Sequence, residues 1–298
     1  MNRHKFILQI LLGLFLTSLA DNSFAMCSSS GISVFPRTQT IFSNPIFIIE
    51  GYSSSQSVIR HLNNGNAIYL TSGDDTIPLT VLKTLVGQFD LTQAILKPSS
   101  NLITGKHYKL NIDSLDEYEK ADFERDNISW TVSDIADNQK PIWNNPPSYN
   151  SKRMIFYGCG PAVFVNFCAS ISDNSPVVVY AKVKNLKTNS SSDYYLFPDS
   201  CSFQLGHGMC SGEFDFEEGQ EYEATFSLMD ASGNISPETQ PIKFISPTEK
   251  DESKHDDKEP ECDCATQKPT EQKTAIWIVI SLAVVGLIVL LAFKKRSK

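Results

Sequence analysis

The sequence predicts an all-β ectodomain of two β-sandwich domains, followed by a disordered stalk and a single C-terminal transmembrane helix. Three observations predict this organisation. Short β-branched and aromatic runs alternate with clusters of Gly, Pro, Asn and Ser up to residue 246. No stretch before the C-terminal apolar run keeps a convincing helical period over three turns. A Gly-x-x-Tyr pattern opens an alternating strand once in each half of this region.

Residues 1–25 are predicted to be a signal peptide. Arg3 and Lys5 precede an apolar run, Phe6–Leu19, which is shorter than the about 20 residues that cross a bilayer. Small residues at positions 23 and 25 predict cleavage after Ala25, and Ser18-Leu19-Ala20 is a second candidate. The alternative is a retained signal anchor. A cleaved signal places the chain that follows outside the cytoplasm.

Residues 275–293 are predicted to be a single-pass transmembrane helix, because this stretch is uncharged and rich in Ile, Val and Leu. The basic tail, residues 294–298, follows immediately, which places the C-terminus in the cytoplasm before any processing. Between the folded region and this helix, residues 247–274 are acidic and almost free of apolar side chains, and we expect a disordered stalk there. We therefore expect the protein in the cell envelope, with the membrane as one partner.

The exported region divides into two predicted sandwiches, residues 28–135 and 140–246. Each contains short strand-like runs separated by turn residues, and only Leu115–Arg125 is a candidate for one short helix. The predicted strands are Ile46–Ile49, Ala67–Leu70, Ala94–Leu96, Ile128–Val132, Val163–Ile171, Val177–Val183, Tyr222–Leu228 and Ile242–Ile245.

Two short motifs carry a resemblance to known folds. Tyr108 and Tyr222 each follow a Gly by three residues and open an alternating strand, which resembles the tyrosine corner of immunoglobulin-like and fibronectin type III domains. There the phenol hydrogen-bonds to backbone just upstream. The segment Asp230–Ser236 resembles the D-x-x-G-N-x-S turn between the last two strands of bacterial surface Ig-like modules. We interpret Asp230 as a turn residue rather than a calcium ligand, because no D-x-D-x-D pattern surrounds it.

Four cysteines lie in the second region, and in an oxidising compartment they predict disulfides before a metal site. The pairs Cys159–Cys210 and Cys168–Cys201 have equal index sums, as residues facing each other across one antiparallel ladder do. We predict these two bonds, between strands B and E of an Ig-like fold. Zinc is the alternative, but the spacing lacks the C-x₂₋₄-C pattern.

Cys262 and Cys264 lie in the predicted stalk and are candidates for lipidation or processing. A C-x-C, a polar spacer, one apolar helix and a basic end resemble the C-terminal sorting signals called MYXO-CTERM. That resemblance implies processing near the cysteine and anchoring in the outer envelope. Here Glu261 stands where a Gly is usual and Lys294–Arg296 where arginines are usual, so processing stays open.

No sequence pattern for catalysis is present. H-E-x-x-H, G-x-S-x-G and phosphate-binding Gly-rich motifs are absent, and we read His61, His107 and His207 as isolated loop residues. The formal net charge of −8 disfavours nucleic acid as a partner. We predict no metal site, no cofactor and no enzyme.

The leading hypothesis is a non-enzymatic structural or adhesion module displayed at the cell surface. The alternative is a surface protein that binds carbohydrate or peptide through loops at the sandwich ends, so another surface protein or a glycan is a candidate partner. An exposed aromatic cluster favours binding, and complete burial favours a scaffold. The candidate aromatics are Tyr149, Phe156, Tyr157, Tyr194 and Tyr195.

Overall fold

The computed structural model describes residues 30–133, 136–199, 201–252 and 262. Strands make up 55% of the structure and helices 7%, which confirms the all-β class. The predicted signal peptide, transmembrane helix and basic tail lie outside the described residues. Within the described part of the chain, no helix has the length and apolar character that a membrane span requires.

The elements of the described residues follow in chain order. Two helices are present, α1 (Gln56–Arg60) and α2 (Glu117–Asp126), with 3-10 turns at Ser53–Ser55 and Glu249–Asp251. The first eight strands are β1 (Gly31–Phe35), β2 (Thr40–Ile41), β3 (Phe47–Tyr52), β4 (Ile68–Ser72), β5 (Asp75–Val86), β6 (Leu91–Pro98), β7 (His107–Ile112) and β8 (Ser129–Val132). The others are β9 (Ile142–Tyr157), β10 (Gly160–Ser172), β11 (Val177–Asn185), β12 (Ser191–Leu196), β13 (Ser202–His207), β14 (Glu221–Asp230) and β15 (Ile242–Ile245).

The first sandwich, residues 31–132, is one bent sheet in the order β1-β3-β6-β5-β4-β7-β8-β2. The long strand β5 makes the bend: its first residues pair with β4 and the remainder pairs with β6. The two halves enclose a core that includes Phe47, Leu70 and Leu110. Trp130 is fully buried there, and its indole N–H donates to the Pro36 carbonyl over 3.0 Å.

The second sandwich, residues 142–245, has two separate sheets. Their orders are β13-β10-β9 and β12-β11-β14-β15. Rings from both sheets meet in the core, where Phe167 lies 5.6 Å from Phe203 and 5.1 Å from Phe226 between ring centroids. Such ring pairs add stability beyond the apolar area that they bury.

The two sandwiches share a core. Along β3, Phe47 and Ile49 face the core of the first sandwich, whereas Ile48 between them packs into the hydrophobic cluster of the second. Phe35 on β1 and Ile95 on β6 join that second cluster. Strands β1, β3 and β6 therefore form a layer that is buried on both faces, and the described residues up to Cys262 group as a single compact unit.

The predicted strands match β3, β4, β6, β8, β10, β11, β14 and β15 to within a few residues. The candidate helix corresponds to α2. The Ser55 hydroxyl donates a hydrogen bond to the carboxylate of Glu119 in this helix over 2.8 Å. The sequence analysis missed β9 entirely. It also missed β1, β2, β5 and β12 as strands.

Both predicted disulfides are wrong. Cys168 is bonded to Cys262, with their Cα atoms 5.5 Å apart, and Cys159 has a free thiol. The strands that carry Cys168 and Cys201 are neighbours as expected, but the register pairs Cys168 with Ser202. This shift of one residue turns Cys201 to the opposite face from Cys168. Cys201 and Cys210 are each in a disulfide.

The predicted stalk does not begin at residue 247. Residues 249–251 form a 3-10 turn with a capping box at Thr248, and Glu252 forms an isolated bridge with Met154 on β9. The disulfide to Cys168 then ties Cys262 to β10. Its sulfur is consumed, so Cys262 has no thiol for a lipid, whereas Cys264 lies outside the described residues.

Candidate functional site at the junction of the two sandwiches

Both predicted tyrosine corners have the expected local geometry. The Tyr108 hydroxyl accepts from the Ile103 backbone N–H over 3.2 Å, and the Tyr222 hydroxyl accepts from Glu217 N–H over 2.8 Å. Both phenols are buried at the start of their strands. Each hydrogen bond thus joins the tyrosine to the backbone five residues upstream, and it fixes the start of the strand to the segment that precedes it.

Backbone hydrogen bonds join the two sandwiches at a surface that we call the junction. Phe89, in the turn between β5 and β6, forms a reciprocal pair with Gly212: its N–H donates over 3.2 Å and its carbonyl accepts over 2.7 Å. Gln88 N–H donates to the Glu213 carbonyl over 3.0 Å. The first sandwich thereby adds a short backbone ladder to the segment between β13 and β14.

A cavity of about 430 Å³ opens at the junction and is lined by both sandwiches. Its size falls within the range of about 300–1,000 Å³ that is typical of small-molecule sites. The first sandwich contributes Glu50 and Tyr52, and the second contributes His207 and Glu213. We call it the junction cavity. Sequence analysis identified none of its acidic residues as site residues.

Glu50 lies on β3 in a mostly desolvated position. Burial raises the pKa of Glu50 to about 7, and the hydrogen bond from Gln93 opposes this rise. The Gln93 amide donates to a Glu50 carboxylate oxygen over 3.1 Å and to the Tyr195 carbonyl over the same distance. Gln93 therefore orients the carboxyl group and connects it to the second sandwich.

Glu213 faces the same cavity from the second sandwich. Burial, together with the negative charge of Glu50, raises the pKa of Glu213 to about 8. Two carboxyl groups with raised pKa values thus line one concave space at the junction. Such a cluster is a candidate functional site.

His207 is not the solvated loop residue that the sequence suggests. It ends β13, only 6% of its surface is exposed, and its ring lies 4.5 Å from that of Phe89. Its Nδ1 lies 2.8 Å from the Gly208 carbonyl oxygen. His61 and His107 are exposed as predicted.

Two glycines allow the close backbone contacts that form one wall of the junction cavity. Gly206 has a φ of +136°, and a Cβ there would lie 1.9 Å from the Val163 carbonyl oxygen. At Gly212, a Cβ would lie 2.2 Å from the Cα of His207. A side chain at either position would push the wall apart.

The aromatic candidates do not form one exposed cluster. Tyr194 is fully buried and Tyr195 nearly so, whereas Tyr149 and Phe156 on β9 are 43% and 49% exposed. Tyr157 is half-buried. The residues therefore divide between the core and the outer edge of the second sandwich, so this test favours neither hypothesis alone.

A larger groove of about 840 Å³ lies on the first sandwich, beside β1 and β8. Its titratable residues are Arg37 and His107, and it contains no carboxylate. The junction cavity has the more chemically convergent lining. Its three carboxyls (Glu50, Asp199 and Glu213) and the His207 imidazole are groups that acid–base chemistry or recognition of a polar ligand would use.

The fold and the junction together define an all-β protein built from sandwich-like sheets. No protein-family model matches the sequence, and no match was found among curated proteins. Among solved structures, pullulanase type I from Bacillus subtilis str. 168 complexed with maltose has a TM-score of 0.24 and 8% identity. That match covers 73% of this chain and 25% of the pullulanase chain.

Two further solved structures are similar at the same low level. Pullulanase from Anoxybacillus sp. LM18-11 has a TM-score of 0.22 and 8% identity, covering 68% of this chain and 24% of that one. A chain of a cytokine receptor complex has a TM-score of 0.22 and 8% identity. That match covers 72% of this chain and 94% of the matched chain. The chain spans about a quarter of the length of these pullulanases. Similarities of this size carry no argument about function.

Proposed function

We propose that the protein is a non-enzymatic structural or adhesion module, displayed at the cell surface by a C-terminal membrane anchor. The Cys168–Cys262 disulfide is the observation that carries this proposal. It ties the chain that leads towards the predicted span directly to β10, in the interior of the second sandwich. Tension arriving from the anchor would reach β10 without stretching the 94-residue loop that the bond closes. A module that bears load needs such a connection.

We assign the first sandwich to the Ig-like class and the second to the fibronectin type III-like class. The sheet orders support this assignment: β5 joins three strands to four across the bend in the first sandwich, and three strands pack on four in the second. The two tyrosine corners support it as well. The shared core would make the pair a stiff unit, since interfaces of this kind suppress motion between domains.

Surface display is tested by treating intact cells that express the full chain with a protease that cannot cross membranes. We expect the sandwiches to be lost from intact cells, and an impermeant maleimide to label Cys159 without prior reduction. The Cys159→Ser variant should lose one equivalent of label. Protection of the protein until the cells are lysed would contradict the proposal.

The adhesive role is tested by measuring how cells that express the full chain attach to arrays of glycans and surface proteins. Attachment should require the sandwiches and should weaken in the Cys168→Ser variant under shear flow. Equal attachment of both proteins under shear would contradict the load-bearing role of the disulfide.

The junction cavity favours a second candidate function, the binding of a carbohydrate or peptide. Its volume suits a small ligand, and Glu50 and Glu213 offer polar groups beside the rings of Tyr52 and Phe197. Binding of a glycan that Glu213→Gln weakens, while the exposed-site variant Glu221→Gln does not, would support this function. Turnover of the bound glycan would instead identify an enzyme.

A further inference from the structure

Three aspartates from separate segments converge beside the contact between the chain that precedes β3 and the turn that follows β14. Asp137 lies between β8 and β9, Asp173 directly follows β10, and Asp230 ends β14. One carboxylate oxygen from each lies within 4.8 Å of those of the other two. Because Ca²⁺–O bonds measure about 2.3–2.6 Å, ligands on opposite sides of a calcium ion are about 4.6–5.2 Å apart. All three oxygens can therefore contact one ion.

Asp137 provides an independent sign of a missing cation. Only 3% of the residue is exposed. Its Oδ1 accepts from the Gln139 backbone N–H over 2.9 Å, whereas its Oδ2 is buried and has no hydrogen-bond partner among the described residues. Leaving a buried carboxylate oxygen unsatisfied is costly, and a bound cation would remove that cost.

Hydrogen bonds hold the other two carboxylates in place without neutralising them. Asp230 Oδ1 accepts from the backbone N–H groups of Ser232 and Asn234, each over 2.8 Å. Asp173 Oδ1 accepts from the Ser175 backbone N–H and hydroxyl, again over 2.8 Å.

The cluster also lacks a basic partner. None of the ion pairs formed between described side chains includes any of the three aspartates. The three negative groups therefore repel one another, and a divalent cation would reverse that repulsion.

We infer that Asp137, Asp173 and Asp230 form a calcium-binding site. Ligands that are all oxygen atoms select a hard cation and disfavour zinc, which prefers nitrogen and sulfur. Calcium accepts irregular arrangements of six to eight oxygens, whereas magnesium requires a near-ideal octahedron. Three carboxylates from three separate segments suit the more tolerant ion.

The position of the site gives the ion a structural role that goes beyond the proposed function. The Asp137 carbonyl accepts from the Asn44 amide over 2.7 Å and from the Asn234 amide over 3.2 Å. Nearby, the Ile46 N–H donates to the Ala231 carbonyl over 2.8 Å. Calcium bound here would hold the connection before β9 and the turn after β14 against the first sandwich.

Calcium titration of the full-length protein tests this inference, after purification in detergent and removal of metal with EGTA. We expect one ion to bind, with a Kd of about 10⁻⁴–10⁻³ M as in extracellular modules, and the Tm to rise with its concentration. Asp137→Asn should weaken binding by at least about tenfold, since it removes one charged ligand. Asp74→Asn, which changes an exposed acid in the β4–β5 turn, should bind as the wild type does.

Absence of binding at about 10 mM calcium, well above the expected Kd, would overturn the inference. Unchanged affinity in Asp137→Asn, or tighter binding of magnesium than of calcium, would do the same. If Asp137→Asn does not fold, the half-buried Asp173→Asn replaces it, with terbium luminescence as the readout. Terbium emission equal to that of the wild type would then also contradict the site.

Discussion

Glu50 shows how one buried carboxyl at the junction makes stability depend on pH. Its pKa is about 7 in the folded protein, above the ordinary value of 4.5. Between these two values the folded state binds more protons than the unfolded state, so stability falls as pH rises. The favourable contribution is complete below about pH 4.5 and is lost through about pH 7.

Glu50→Gln should remove this contribution, because an amide keeps the shape of the protonated acid and cannot ionise, while Glu213 keeps a pH dependence of its own. Relative to the wild type, the variant should gain roughly 1–3 kcal/mol at pH 8 and little at pH 5. Urea unfolding at both pH values measures the difference. The exposed-site control Glu221→Gln should match the wild type, and an unchanged pH slope in Glu50→Gln would contradict this account.

Gly206 is a residue whose backbone conformation determines the wall of the junction cavity. Gly206→Ala should destabilise the protein by roughly 2–4 kcal/mol, because it combines a positive φ with a clash against the Val163 carbonyl. Gly158→Ala is the matched control, since no atom lies within 4 Å of its added Cβ and its φ is not positive. Thermal denaturation compares the two, and equal Tm values would show that the wall relaxes freely.

At the scale of elements, the hydrophobic pattern predicted most inner strands and missed most edge strands, with the inner strand β5 and the edge strand β15 as exceptions. Strands β3 and β10 have continuous apolar runs because both of their faces are buried. The edge strand β9 contains Pro146 and Pro147 among polar residues, which reads as a linker. A strand at the edge of its sheet tolerates prolines, because one side of its backbone needs no ladder hydrogen bonds.

The disulfide error has a related cause. The sequence correctly indicated that the strands around Cys168 and Cys201 are neighbours, but it contained no information about a register shift of one residue. The actual partner, Cys262, lies in a segment whose composition predicts disorder, so its covalent connection had no signature.

Cys168→Ser tests this connection between elements. Loss of the bond should lower stability by roughly 2–5 kcal/mol, because the unfolded chain is freed from a long closed loop. Cys159→Ser alters only a free thiol and should change stability by less than about 0.5 kcal/mol. Guanidinium unfolding of both variants, with intact mass before and after reduction, gives the answer. Equal stability of the two would contradict a structural role for the bond.

At the scale of the whole molecule, the sequence predicted two sandwiches but not their shared core. The apolar sequence of β3 is typical of a strand in the interior of one domain. Nothing in the local pattern shows that the face with Ile48 packs against a second domain. The candidate sites were missed because their residues are distant in sequence. Glu50 and Glu213 line one cavity only because the sandwiches pack together, and Asp137, Asp173 and Asp230 come from three separate segments.

Ile48→Ala and Ile49→Ala form a matched pair that separates the two cores. Both side chains are fully buried, and truncation of either should cost roughly 2–5 kcal/mol. Ile49→Ala should weaken the first sandwich, whereas Ile48→Ala should also weaken its coupling to the second. Hydrogen exchange measured by mass spectrometry distinguishes these outcomes. If Ile49→Ala lowered the protection of β11 and β14 and Ile48→Ala did not, the assignment of faces would be contradicted.

The shared core is tested most directly by urea unfolding of the full chain, followed at one tryptophan in each sandwich. Trp130 reports on the first core, and Trp143, which packs against the shared cluster, reports on the second. Each is observed in a variant whose other tryptophans, including Trp277, are changed to Phe. We predict the same midpoint and slope from both probes, because the sandwiches unfold as one cooperative unit. Two separate transitions would contradict the account.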